Sequence, residues 1–154
     1  EAVFFGLGHG GIESILTGLL AAVTLVNVIA ISQAQDPTTL GLSEEMVATT
    51  LAQVEDYWAM DFYLPVLAVA ERIMALILHA SLSTLVVLSF KVRSIWPVLA
   101  AILWHATVNA VAVTVAQTWG AVTAEGTMVI VVILSIVILW GTRRALPVER
   151  AEVM

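Results

Sequence analysis

Charge is the scarcest property of this chain. Only twelve per cent of its 154 residues are charged and just six are basic, whereas soluble domains run near a quarter charged. The six basic residues never gather into a patch that could neutralise phosphates, so nucleic acid is excluded as a partner. Cysteine is absent altogether. That excludes disulfides, thiolate metal ligands and a cysteine nucleophile, and it leaves the compartment open. What fills the chain instead is apolar: sixty per cent of residues are hydrophobic and the mean hydropathy is +1.01. Such a composition belongs to an integral membrane protein. The first residue is Glu1 and hydrophobic sequence follows at once, so the chain reads as the back part of a longer protein.

Runs of about 20 apolar residues mark membrane-crossing helices. Four occur, at approximately 4–31, 64–90, 95–119 and 127–142. The expected fold is all-α: a polytopic transmembrane bundle of four spans forming a single membrane-embedded domain over residues 1–154. Trp96, Trp119 and Trp140 stand at span ends, where indoles prefer the interface. Four of the six basic residues fall in KVRS (91–94) and at Arg143 and Arg144. The connection 32–63 carries six acidic residues and no basic one, and 120–126 holds only Glu125. By the positive-inside rule, residues 91–94 and the C-terminal tail are expected on the cytoplasmic side. Within the acidic connection, Ser43 stands as an N-cap before Glu44 and Glu45. Val47, Leu51, Val54 and Trp58 follow at helical spacing, which predicts a short amphipathic helix over 43–58 on the outer surface.

Every histidine lies in one of three related pentapeptides: HGGIE (9–13), HASLS (79–83) and HATVN (105–109). Each places a polar residue four positions after the histidine, about 40° away in azimuth and 6 Å in rise on a helix. His9 therefore shares a face with Glu13, His79 with Ser83, and His105 with Asn109. The stripe on span two extends back to Arg72. That on span one continues through Thr17 and Thr24 towards Asn27. On span three, Ala101, Ala112 and Ala116 let neighbours approach closely. Each stripe is expected to face the bundle interior, with the fourth span shielding the others from lipid. At about 1.5 Å per residue, His79 and His105 fall at one depth, roughly 3 Å to the cytoplasmic side of the midplane. Glu71 and Arg72 lie about 10 Å the other way. An ionisable group at mid-membrane costs a few kcal/mol, so three histidines with Glu13 and Asn109 at related depths point to a site.

Several chemistries suit that set. Glu13 can serve as a general base, while imidazole and the Asn109 amide can donate hydrogen bonds to a developing oxyanion. Alternatively His9, His79 and His105 can hold Zn²⁺, leaving a fourth position for water. HEXXH, the strong zinc-protease signature, is absent. Other readings are a haem held between His79 and His105, a proton-coupled transporter built on intramembrane Glu, Arg and His, and a non-catalytic membrane scaffold.

GLGHGGIES in the first span, AERIMALILHASLS in the second and HATVN in the third together resemble the YhfC-type branch of the CAAX-protease and bacteriocin-processing superfamily of intramembrane proteases. The likeness covers about residues 1–110. It implies an α-helical membrane peptidase, often described as an intramembrane metalloprotease, acting on peptide or membrane-protein substrates in the lipid bilayer. The expected setting is the cytoplasmic membrane of a bacterium or archaeon. By the resemblance His9 and Glu13 occupy one motif, Glu71, Arg72 and His79 another, and His105 with Asn109 the last; Ser83, which spacing places on the His79 face, is expected to support the site together with Glu71 and Arg72. The superfamily's paired-glutamate motif EEXXXR does not occur in this sequence, and its counterpart is expected upstream of Glu1.

Overall fold

A computed structural model of the chain describes residues 1–34, 36, 39, 41 and 43–145. The C-terminal tail, whose side of the membrane was an expectation above, lies outside the described residues, as do parts of the acidic connection. The described residues form five α-helices: α1 (Ala2–Gln33), α2 (Glu44–Trp58), α3 (Tyr63–Val92), α4 (Trp96–Trp119) and α5 (Ala121–Ala145). Among the described residues there is no strand. All but α2 are long and apolar enough to cross a membrane. The protein is an integral membrane protein.

Two compact units divide the chain, one of Glu1–Ile12 with the sequence from Pro65 onward, the other of Glu13–Leu64. In the first unit the core forms where α3, α4 and α5 meet. Leu78 and Leu82 from α3, Ala101 and Val108 from α4, and Met128 and Val131 from α5 are its buried members. Ala112 packs against this cluster, whereas Ala116 is exposed. A side-chain bond ties α5 to α3, with Thr142 Oγ1 donating to Thr84 Oγ1 at 2.9 Å. Bonds of this kind contribute on average about 0.6 kcal/mol inside a membrane.

The turns explain how consecutive spans fold back so tightly. Between α3 and α4 the amide of Ser94 donates to the Ser89 carbonyl at 3.0 Å, and Arg93 adopts φ 50°. That is a Schellman-type ending with arginine at the left-handed position that glycine usually fills. Gly120, at φ 86°, is the single residue between α4 and α5. Its amide still closes α4 by donating to the Ala116 carbonyl at 3.1 Å.

This last turn corrects an expectation. The fourth span was expected at 127–142 with Glu125 in a loop; instead α5 begins at Ala121 and carries Glu125 in its second turn. Because one left-handed glycine completes the reversal, no residues are left over for a loop. The helix therefore starts in AVTAE, where nothing opposes it.

In the second unit, α2 forms as expected, with Ser43 as its N-cap accepting from the Met46 amide at 3.4 Å. It packs on the C-terminal half of α1. Val28 and Val54 are the buried pair, and Trp58 Nε1 donates to Ser32 Oγ at 2.9 Å. Thr17 and Thr24 do not face an interior as their stripe suggested. Both are exposed, and their hydroxyls donate back to the carbonyls of Glu13 and Leu20 at 2.9 and 3.0 Å. Such back-bonding satisfies a hydroxyl within its own helix and removes the need for a neighbouring span.

Arg93 offers a direct check on the α3–α4 turn. An L-residue held left-handed costs roughly 1–2 kcal/mol. Arg93→Gly is expected to raise stability by about 1 kcal/mol in chemical denaturation of the detergent-solubilised protein. Arg93→Ala, which removes the charge but keeps the strain, is expected to bring no gain.

Candidate functional site

The approach of α1 to α3 positions the site. Gly6 and Gly10 are four apart, so both lie on one face of α1 and leave a flat track. A Cβ added at Gly6 would come within 2.5 Å of the His79 carbonyl oxygen and 2.6 Å of Ala80 Cα. One added at Gly10 would come within 2.9 Å of His79 Cδ2. The backbone of α1 is thus pressed against the turn of α3 that bears His79, and His79 is only 5% exposed. Gly8, on the other face, meets nothing within 4 Å.

Held this way, the His79 ring is the middle member of three. Its centroid lies 5.1 Å from that of His9, with the planes at 70°, and 5.1 Å from that of His105, at 60°. The three imidazoles line a cavity of about 610 Å³, within the range of roughly 300–1,000 Å³ usual for small-ligand sites. Ser83 and Asn109 line it too. His79 forms the buried wall, while His9 and Asn109 are exposed and His105 is half-buried.

Of the residues singled out by sequence, five therefore meet at one cavity: His9, His79, Ser83, His105 and Asn109. Glu13 is exposed and lies one helical turn beyond His9 on α1, in the second compact unit, and it is not among the cavity's lining residues. Glu71 and Arg72 stand apart. They pair with each other through Glu71 Oε1 and Arg72 Nη2, and both lie within electrostatic reach of Glu125 on α5. One oxygen of Glu125, Oε2, is buried without a hydrogen-bond partner. This grouping of three ionisable side chains was hidden from sequence reading by the placement of Glu125 in a loop. The glycine pair escaped for another reason. The three-residue gap between Gly6 and Gly10 was legible, but the histidine between them drew the reading to side chains rather than to backbone approach.

A family model describing the YhfC intramembrane metalloproteases matches residues 1–134. The chain belongs to that family. No curated protein and no solved structure matches it. The matched region takes in all three histidines and Asn109, so the cavity lies inside the part of the chain that defines a YhfC member.

The family description implies a metal, and the residues can be tested for it. Imidazole is a good zinc ligand. Two rings bound to one tetrahedral zinc at about 2.0–2.1 Å per nitrogen have centres about 5 Å apart. Both ring spacings here are 5.1 Å. Among the described residues no three His, Asp or Glu side chains are drawn together as a metal-holding cluster. Imidazole suits the ion, and each of the two pairs is spaced as two zinc ligands are, with His79 shared. Among the described residues, however, the three rings are not gathered around one point as a three-histidine site requires.

The glycine track is open to a direct check. Gly6→Leu is expected to destabilise the solubilised protein by at least about 1–3 kcal/mol, as overpacking does, because the obstruction is backbone that cannot turn aside. Gly8→Ala is expected to be neutral or stabilising by up to about 1 kcal/mol. Thermal unfolding of the two variants side by side measures the contrast.

Proposed function

We propose that this YhfC-family protein hydrolyses peptide bonds of membrane or membrane-associated substrates at the cavity lined by His9, His79 and His105. The observation that carries the reading is the pair of 5.1 Å ring spacings centred on His79. They bring three imidazoles from separate helices to one cavity within the family-matched region. Three histidines from three spans are costly to gather in lipid, and a haem or transport role leaves the family match without an account.

In this reading the substrate's carbonyl enters the cavity between Asn109 and the imidazoles. The Asn109 amide donates to the carbonyl oxygen and strengthens that bond as negative charge develops there. Glu13, one turn from His9 along α1, takes a proton from the attacking water. As the tetrahedral species collapses, the carbon–nitrogen bond breaks and the proton passes to the departing amine. Ser83, next to the rings, fixes the water that enters with the substrate. His9, His79 and His105 are the residues that would hold a zinc ion, and such an ion would supply positive charge to polarise the scissile carbonyl. Glu71 and Arg72 are positioning residues that set α3 against α5 through Glu125. In this reading the α3–α4 turn, with its basic residues at 91–94, faces the cytoplasm as the positive-inside rule favours, and the cavity opens in that half of the membrane.

Metal content and cleavage, measured on the complete protein, test this together. His79→Ala is expected to abolish bound zinc and cleavage. Glu13→Gln is expected to keep the zinc and lose cleavage by at least 100-fold, the lower end of what general-base catalysis contributes, about 10²–10⁴-fold. Zinc retained at full stoichiometry in His79→Ala, or unchanged turnover in Glu13→Gln, would contradict the assignment.

A further inference from the structure

The cavity is not uniform along its length. On α1, Phe5 precedes His9 by one turn; on α4, Ala101 and Ile102 precede His105 by about one turn. On α3, Leu82 and Val86 follow His79 by about one and two turns. The tight turn between α3 and α4 makes those helices antiparallel. The start of α1 lies beside Thr84 and Thr142, near the later turns of α3 and the end of α5, so α1 also runs opposite to α3. Before on α1 and α4, and after on α3, are therefore one direction. All these apolar residues lie on the same side of the imidazoles, towards the α3–α4 turn, and reach about 10 Å from His79. Ser83 is the one polar side chain among them. Among the described residues, no Asp, Glu, Lys or Arg lines the cavity.

We propose that this apolar half is a one-sided specificity subsite. It takes a large uncharged side chain of the substrate from one side of the scissile bond only. The inference rests on the hydrolase reading for the words scissile bond, but the compartment exists without it. A charged side chain placed there would be desolvated with no partner. An apolar one gains with size until the space is filled, and each methylene in such a pocket discriminates by roughly 10–200-fold. Leu82 and Ala101 belong to the buried core and set the floor. Phe5 and Ile102, 74% and 58% exposed, form the rim and can be changed without disturbing the packing of α3 on α4. They are the specificity-determining residues.

The test uses the complete protein reconstituted in phospholipid vesicles. Its probes are single-span, alanine-rich peptides that carry Ala, Leu, Phe or Lys at one position on either side of the cleaved bond. On one side, Leu or Phe is expected to exceed Ala by at least about 10-fold in kcat/KM, and Lys to stop cleavage. On the other side the spread is expected to stay within about threefold, too little for a methylene-sized preference. Ile102→Trp is expected to reverse the order to Ala over Phe on the selective side alone. A second arm uses Glu13→Gln and a peptide bearing a diazirine on its apolar side chain. Crosslinks are expected at Phe5, Val86 or Ile102, and Ile102→Trp is expected to remove them. If no peptide is cleaved yet these crosslinks form, the hydrolase reading falls and the subsite stands. Cleavage that tolerates Ala, Phe and Lys equally on both sides, or crosslinks that map elsewhere, would overturn the subsite and leave the hydrolase reading intact. Neither cleavage nor crosslinking overturns both.

Discussion

The close approach of α1 to α3 is the contact on which the site depends. In lipid there is no hydrophobic gain from bringing two apolar helices together, so their separation is set by side-chain size and polar bonds. Gly6 and Gly10 remove the side chains at the crossing, and the backbone of α1 then covers the His79 turn. Two consequences follow from one geometric fact. The His79 ring is held in a buried position, and His9, between the two glycines in sequence, is carried within ring-contact distance of it. A larger residue at either glycine would push α1 away and take His9 with it.

The rest of the bundle shows how the membrane handles polar groups that have no such role. Thr17, Thr24, Thr114, Thr118, Thr123 and Thr127 all return their hydroxyl hydrogens to a carbonyl four residues back. Polar side chains disposed of this way add little cost in hydrocarbon. Imidazole and carboxamide groups are too large and too richly equipped with donors for that device. His79, His105 and Asn109 instead line one shared cavity. The hydroxyls fold back on their own helices, whereas the imidazoles gather at one cavity.

Much of this architecture was readable from residues alone. The four spans follow from the length of the apolar runs, and α2 from Ser43 and the spacing of Val47, Leu51 and Val54. Counting residues from span ends put His79 and His105 at one depth, and their rings lie 5.1 Å apart. Three features were not readable, each for a physical reason. Glu125 looked like a loop residue because a charge beside a glycine usually marks one, but a single left-handed residue at Gly120 completes the reversal. The stripe from Glu13 to Asn27 looked like an interior face because helical periodicity cannot tell a hydroxyl seeking a partner from one bonded to its own helix. The cavity's apolar half could not be seen at all, since Phe5, Val86 and Ile102 differ in no way from the lipid-facing residues around them until the direction of each helix is known.

The central claim is that the imidazole of His79 lies between those of His9 and His105. The chain has only three histidines, so protein labelled with ¹³C and ¹⁵N in histidine alone reports on those rings without interference. Solid-state NMR with dipolar recoupling in lipid bilayers should then show magnetisation passing from the His79 ring to both other rings, as centroid separations of 5.1 Å require. Resonances can be assigned by single His→Gln substitutions. A His79 ring with no transfer to either neighbour would contradict the structure of the site and everything built on it.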